Sequence, residues 1–317
     1  MSEAPEVATD TWSPADIPDQ AGRTALVTGT TLGGLGHHTA LELARRGARV
    51  VLAGRSEEKL AATAAAIRSE VPAATPEQLH VDVASLSSVR RAAADAARLG
   101  PIDVLVNNAG VMAPPYSRTE DGLELQLATN HLGPFLLTGL LLPQLVASGA
   151  GTVVTVSSVM HRVARSAPLG DPRAEQPGRY RRWQVYAQTK LANLLFTYEL
   201  DRRARAAAVP VKALAAHPGL AGTHLAANGQ FGRATGGAAT ILNAAVRAVS
   251  QPAARGAWPT LMAATADLPG ATYCGPGGLQ EVSGPPRVVS SSQLSHDEDA
   301  QRRLWELSER VTGIRYP

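Results

Sequence analysis

The strongest constraint on the fold is an alternation along the chain between short apolar runs and longer stretches rich in Ala, Leu, Arg and Glu. The runs lack the every-second-residue pattern of a half-exposed strand, so they predict strands that are buried on both faces. Helical stretches between such strands predict a mostly parallel sheet with helices on both faces, the doubly wound α/β class. The six predicted strands are residues 24–27, 49–52, 79–83, 102–106, 152–156 and 211–215.

The length of 317 residues leaves room for one large domain or two small ones. Because the alternation continues through most of the chain, we predict a single domain over residues 22–317. Residues 1–21 carry five acidic residues and no basic one, so they do not form a signal peptide. We expect them to be an exposed leader, and we expect a cytoplasmic protein.

A glycine-rich loop, residues 29–36, follows the first predicted strand and leads into a helix predicted to begin near His37. Glycines there permit a tight turn and a close approach of the backbone to a pyrophosphate at the helix N-terminus. The loop therefore predicts a Rossmann-type dinucleotide site, although a glycine turn without a ligand stays an alternative. The candidate contacts are Gly29, Thr31, Gly34, Leu35 and Gly36.

The end of the second predicted strand bears on which dinucleotide binds. NAD-dependent proteins place an acidic residue there, whereas this chain has Arg55 and no carboxylate before Glu57. A guanidinium suits a 2′-phosphate. We therefore predict a preference for NADP(H), with NAD(H) as the alternative cofactor and a solvated loop arginine as the alternative role of Arg55.

Four further motifs follow later strands: residues 107–110 (NNAG), 130–133 (NHLG), 157–158 (SS) and 186–190 (YAQTK). Together with the glycine loop, they resemble the short-chain dehydrogenase/reductase family. Three more segments resemble its retinol-dehydrogenase-like branch: residues 186–196 (YAQTKLANLLF), 217–219 (HPG) and 304–306 (LWE). The resemblance runs from about residue 22 to the C-terminus and implies an oxidoreductase.

One departure from the family pattern lies in the glycine loop. The family has three residues between Thr-Gly and Gly-x-Gly, but here four residues separate Gly29 from Gly34. We match Gly34 and Gly36 to the second and third family glycines, because residues 37–40 (HHTA) then match the start of the family's helix. The extra residue puts the phosphate geometry in question.

The reaction implied by the resemblance needs a group that protonates an alkoxide or deprotonates an alcohol. Tyr186 is the candidate, and Lys190, one helical turn later, supplies the positive charge that favours its phenolate. The resemblance implies that Ser158 bonds the reacting oxygen, that Asn130 holds a water and that Lys190 bonds the nicotinamide ribose. Packing and capping roles stay open for each of these residues.

The resemblance extends the cofactor site to later strand ends. It adds Asp82, Val83, Asn108, Ala109, Gly110, Pro218, Gly219 and Thr223 to Tyr186 and Lys190. A helix N-cap is the alternative role at Asp82 and Val83.

Two irregular stretches, residues 159–185 and 220–250, are predicted to border a small to medium hydrophobic alcohol or carbonyl substrate, with ordinary surface loops as the alternative. The candidate substrate contacts are Ser158, His161, Trp183, Tyr186 and Leu225.

Several other classes are disfavoured by the sequence. The net charge is +3, but the basic residues form no nucleic-acid-binding motif. The 8 histidines lack the spacing of metal ligands, which disfavours a metal site. A single cysteine excludes an internal disulfide. No membrane span is expected, because the most apolar window, residues 132–147, is interrupted by Gly and Pro. The family resemblance implies a homodimer or homotetramer. A catalytically silent NADP sensor and an epimerase or dehydratase are the alternative functions.

Overall fold

The computed structural model describes residues 12–173, 178, 180–220 and 251–317. Its strands are β1 (Thr24–Thr28), β2 (Arg49–Gly54), β3 (Glu77–His80), β4 (Val104–Asn107), β5 (Gly151–Val156), β6 (Val211–Ala216), β7 (Tyr273–Pro276) and β8 (Pro286–Val288). Its α-helices are α1 (Leu35–Arg45), α2 (Glu57–Glu70), α3 (Leu86–Ala96), α4 (Leu125–Leu127), α5 (Gly133–Ala147), α6 (Arg182–Ala206), α7 (Ala253–Gly256), α8 (Trp258–Thr265) and α9 (Glu298–Thr312).

The strands form one sheet in the order β3-β2-β1-β4-β5-β6-β7-β8. Every described pair is parallel except β7 with β8, which is antiparallel. The predicted doubly wound, mostly parallel α/β class is confirmed. All six predicted strands are present, with shifted ends at β3 and β4.

Two hydrophobic clusters cover the two faces of the sheet. Successive residues of β1 alternate between them: Ala25 and Val27 pack with helices α1, α2 and α8, whereas Leu26 packs with α3, α5 and α6. All five residues of β1 are buried, which explains why the strand sequences show no polar alternation.

The leader prediction is wrong for the part that the structure describes. Trp12 and Ile17 are buried in the first cluster, and the Arg46 guanidinium donates to the carbonyls of Pro14 and Ala15. The sequence did not predict the burial of Trp12 and Ile17, because the stretch is acidic and two apolar side chains five residues apart match neither a helical nor a strand period. This stretch therefore packs onto the domain.

The C-terminal region packs against the second cluster through an aromatic group. The Trp305 ring lies 5.0 Å from that of Phe135 and 4.7 Å from that of Tyr316, and the Arg203 guanidinium lies 4.6 Å over Trp305. The Tyr316 hydroxyl donates to the Phe135 carbonyl at 3.1 Å. Helix α9 is thereby fixed to α5 and α6. Within the described residues, no helix combines the length and apolarity that a membrane crossing requires.

We predict that Trp305→Ala lowers the free energy of unfolding by about 3–5 kcal/mol, because it removes a buried ring that is 2% exposed. Denaturant unfolding measures the change. Leu279→Ala is the control, since Leu279 is 89% exposed and its truncation should change stability by less than about 0.5 kcal/mol. Equal effects of the two substitutions would contradict this packing.

Candidate functional site

The predicted site residues gather at the carboxyl ends of β1, β4, β5 and β6, which are adjacent in the sheet. In parallel α/β sheets this edge is where ligands bind. Sequence segments far apart in the chain meet there: residues 29–36, 108–111, 157–158 and 217–219.

The glycine loop is built on a close backbone approach. A Cβ atom on Gly29 would lie 2.8 Å from the Ala109 Cα, and one on Gly36 would lie 2.7 Å from the Gly29 carbonyl oxygen. Any larger residue would push α1 away from the sheet. The position of Gly36 suits the third family glycine, which packs the helix on the strand.

The N-terminus of α1 suits a phosphate. Gly34 is its N-cap, and no side chain caps the first turn. The amides at the start of such a helix carry partial positive charge and need acceptors. This cradle fits the pyrophosphate of a dinucleotide, with Leu35 and Gly36 supplying backbone N–H groups. Thr31 is exposed beside it.

The segment after β4 is fastened to β1 by one hydroxyl. The Thr28 Oγ1 accepts from the backbone amides of Asn108 and Ala109, each at 3.0 Å, and donates to the Val106 carbonyl at 3.2 Å. The Asn108 side chain donates to the Thr28 carbonyl at 2.7 Å. Residues 108–110 are therefore held beside the glycine loop, where they can line a cofactor.

Three further cofactor candidates, Arg55, Asp82 and Val83, lie just after β2 and β3, which are neighbours in the sheet. Arg55 directly follows β2 and is exposed, so its guanidinium is open to a ligand. The Asp82 carboxylate accepts from the Ala84 amide at 2.9 Å and shapes the turn before α3, while Val83 is buried. The alternative role predicted for Asp82, a helix N-cap, is wrong, because Ser85 is the N-cap of α3. A cofactor contact at Asp82 stays a prediction.

Three of the four catalytic candidates meet beside β5. Tyr186 and Lys190 lie on one face of α6, with the Lys190 Nζ 5.7 Å from the centre of the Tyr186 ring. The Ser158 hydroxyl, just beyond β5, is hydrogen-bonded to Tyr186. Lys190 donates to the Val156 carbonyl at 3.0 Å.

Asn130, the fourth candidate, lies in a π-helical segment, Ala128–Leu132, between α4 and α5. Its Oδ1 accepts from the Val111 amide at 2.8 Å. Its Nδ2 donates to the Val111 carbonyl at 3.0 Å and to the Thr189 hydroxyl at 2.9 Å. The side chain therefore joins the segment after β4 to α6, and its role in holding a water stays a prediction.

The chain is similar in sequence to known dehydrogenases over most of its length. A family model described as short chain dehydrogenase matches residues 23–168. Retinol dehydrogenase 13 of Homo sapiens is 39% identical over 96% of this chain and 88% of that protein. Polyprenol dehydrogenase of Mus musculus is 39% identical over 95% of this chain and 87% of that protein. The chain belongs to the short-chain dehydrogenase/reductase family.

Solved structures agree with this membership. A protein from Mycobacterium paratuberculosis has 43% identity and a TM-score of 0.79, over 96% of this chain and 99% of that chain. A short-chain dehydrogenase from Shigella flexneri, determined in complex with NADP, has 25% identity and a TM-score of 0.59 over 78% of this chain and 94% of that chain. The chain is therefore an oxidoreductase of the retinol-dehydrogenase-like branch, in a family that binds nicotinamide cofactors.

Burial shifts the pKa values of both Tyr186 and Lys190. Desolvation raises the pKa of Tyr186 to about 12, against the opposing effect of its hydrogen bond with Ser158. Desolvation also lowers the pKa of Lys190 to about 8. At neutral pH, without a cofactor, the pair is therefore a protonated phenol beside an ammonium group, a form that can donate a proton to an alkoxide.

The substrate candidates differ in what they can offer. Trp183 is half-buried and its ring lies edge-on to that of Tyr186 at 6.2 Å, which suits a pocket wall. His161 is fully buried: its Nδ1–H donates to the Ser158 carbonyl at 2.7 Å, and its Nε2 accepts from the Ser292 amide at 3.1 Å. Both ring nitrogens of His161 are thus hydrogen-bonded within the protein, which leaves neither to contact a substrate. Thr223 and Leu225 lie outside the described residues.

A polar cluster beside the site, Glu281 with His217 and Arg162, was not predictable from the sequence; we call it the Glu281 joint. Glu281 accepts from the buried His217 Nε2 at 3.0 Å and from Arg162 at 2.8 Å, and the His217 Nδ1 accepts from the Gly219 amide at 3.2 Å. The joint ties the segment after Ser158 and the segment after β6 to the C-terminal region. Gly219 has a φ of +64°, and the Pro218 carbonyl accepts from Gln251 at 2.8 Å.

We predict that Lys190→Met raises the free energy of unfolding at pH 7 by about 1–3 kcal/mol, because it removes a desolvated cation. The Val156 carbonyl keeps a partner, since the Asn193 Nδ2 also donates to it at 3.0 Å.

The sign of the pH dependence follows from linkage. Lys190 has a pKa of about 8 in the folded protein against an ordinary value of 10.5, so between these pH values the unfolded chain binds more protons. Wild-type stability therefore gains with rising pH in this window, and the advantage of Lys190→Met shrinks. Denaturation across the window measures it, and a pH-independent difference would contradict the desolvated cation.

Proposed function

We propose that this protein is an NADP(H)-dependent oxidoreductase that interconverts the alcohol and carbonyl forms of a small to medium hydrophobic substrate, with Tyr186 as the acid and base. The observation that supports it most is the grouping of Ser158, Tyr186 and Lys190 at the end of β5. A cofactor-binding protein without turnover would not need a buried cation beside a buried phenol.

Ser158, Tyr186 and Lys190 have different roles at the reacting oxygen of the substrate. A bound nicotinamide supplies or accepts the hydride at the substrate carbon. The Ser158 hydroxyl donates a hydrogen bond to the substrate oxygen, and the Tyr186 hydroxyl gives its proton to that oxygen as the alkoxide forms. Lys190 stabilises the resulting phenolate. In alcohol oxidation the phenolate takes the alcohol proton instead.

The cofactor would lie along the sheet edge already described. The α1 N-terminus would hold the pyrophosphate, residues 108–110 would line the cofactor, and Lys190 would bond the nicotinamide ribose. Arg55 supports a preference for the phosphorylated dinucleotide, because its exposed guanidinium stands where family members that use NAD carry an acidic residue.

The hydrophobic character of the substrate is supported by Trp183 beside Tyr186. Two relatives are named for retinol and polyprenol, which are apolar alcohols. The substrate proposed for this chain is therefore an apolar alcohol or its carbonyl form, without a choice of compound.

The central test of the chemistry is Tyr186→Phe. We expect NADP(H)-linked turnover of a panel of ketones, aldehydes and secondary alcohols to fall by about 10²–10⁴-fold, with the cofactor Kd little changed. Tyr198→Phe is the matched control, since Tyr198 lies on the same helix with its hydroxyl bonded to Ser291. A folded Tyr186→Phe protein that keeps turnover would refute the mechanism.

The test of cofactor preference is Arg55→Ala. We expect the KM for NADPH to rise about tenfold or more, because charge-assisted hydrogen bonds to the 2′-phosphate are lost, while the KM for NADH stays constant. Arg68→Ala, an exposed arginine at the far end of α2, is the control. An unchanged ratio of the two KM values would overturn the assignment.

A further inference from the structure

The extra residue of the glycine loop is accommodated by a tight turn. The Gly34 amide donates to the Thr31 carbonyl at 2.9 Å, and Gly33, the third residue of the turn, has a φ of +76°. A positive φ at this position is typical of a type II turn and favours glycine. The turn lies directly before α1.

A histidine holds this turn from inside the helix. The Gly33 amide donates to the His37 Nδ1 at 3.2 Å. His37 lies in the first turn of α1 and is 5% exposed, whereas Gly33 is exposed, so the bond between them is partly buried. Burial, together with the adjacent His38, lowers the pKa of His37. The imidazole is therefore neutral at neutral pH, as an accepting Nδ1 requires.

Packing alone does not explain a histidine here. With Nδ1 accepting, the proton is on Nε2, and that buried nitrogen has no hydrogen-bond partner among the described residues. An unpaired buried donor costs about 1–3 kcal/mol, a cost that an apolar side chain of similar size would avoid. In the part of the chain that the structure describes, the one hydrogen bond that the His37 ring makes is the bond to the extra turn.

We propose that His37 is a positioning residue for cofactor binding, which holds the enlarged glycine loop clear of the α1 N-terminus so that the amides there remain open to the pyrophosphate. Residues 29–34 contain three glycines, and α1 has no side-chain cap. Without the His37 acceptor, the Gly33 amide loses its partner and this permissive backbone can fold across the phosphate cradle. The inference rests on the dinucleotide binding in the proposed function.

The experiment measures the Kd of NADPH and of NADH by fluorescence titration of the full-length protein, without turnover. His37→Phe keeps a ring but removes the acceptor, and we expect both Kd values to rise about five- to tenfold, as for the loss of one hydrogen bond. His37→Asn places an accepting Oδ1 close to the Nδ1 position, and we expect Kd values within about twofold of wild type. His38→Phe is the control and should change neither Kd.

A second pair of variants tests whether His37 acts through the extra residue. In a protein that lacks Gly33, the loop has the family spacing and the amide that His37 holds is gone. We expect His37→Phe to have no effect on either Kd in that background. A penalty that persists there would overturn the proposal, as would equal Kd values for wild type and His37→Phe. Failure of the wild-type protein to bind either cofactor would instead refute the proposed function.

Discussion

A buried lysine cation is the constraint on which the rest of the site depends. Lys190 is 5% exposed, and desolvation lowers its pKa to about 8, so its charge is costly to keep. The cost is tolerated because the Val156 carbonyl at the end of β5 accepts from its ammonium group. The same position brings the charge within reach of the Tyr186 ring. Helix α6, packed beside the end of β5, therefore carries both the proposed acid and the cation proposed to stabilise its conjugate base.

Side-chain to backbone hydrogen bonds hold that edge together across long stretches of sequence. Thr28 fastens the segment after β4 to β1, and Asn130 fastens the same segment to α6 through Thr189. His161 holds the carbonyl of Ser158 in place. Because these polar groups are paired, the reacting side chains have little freedom to move, and such preorganisation is what a proton transfer requires.

The sheet class and its first six strands were predictable from the continuous apolar runs. The positions around Tyr186 were predictable from the spacing of the polar motifs. Strand β7 contains Cys274, Gly275 and Pro276 and has no β-branched run, so it gave no signal. The π-helical turn at Asn130 and the Glu281 joint depend on contacts between distant segments. Those contacts have no local pattern, and for the same reason the buried position of His161 could not be foreseen.

The central claim is that the ammonium form of Lys190 stabilises the Tyr186 phenolate. Ultraviolet difference titration of phenolate, with NADP⁺ bound and Tyr186→Phe as the reference, measures this ionisation directly. We expect the midpoint in the Lys190→Met variant to lie about 1–3 pH units above that of the wild type, as for the removal of a neighbouring opposite charge. The same midpoint in both proteins would contradict the account.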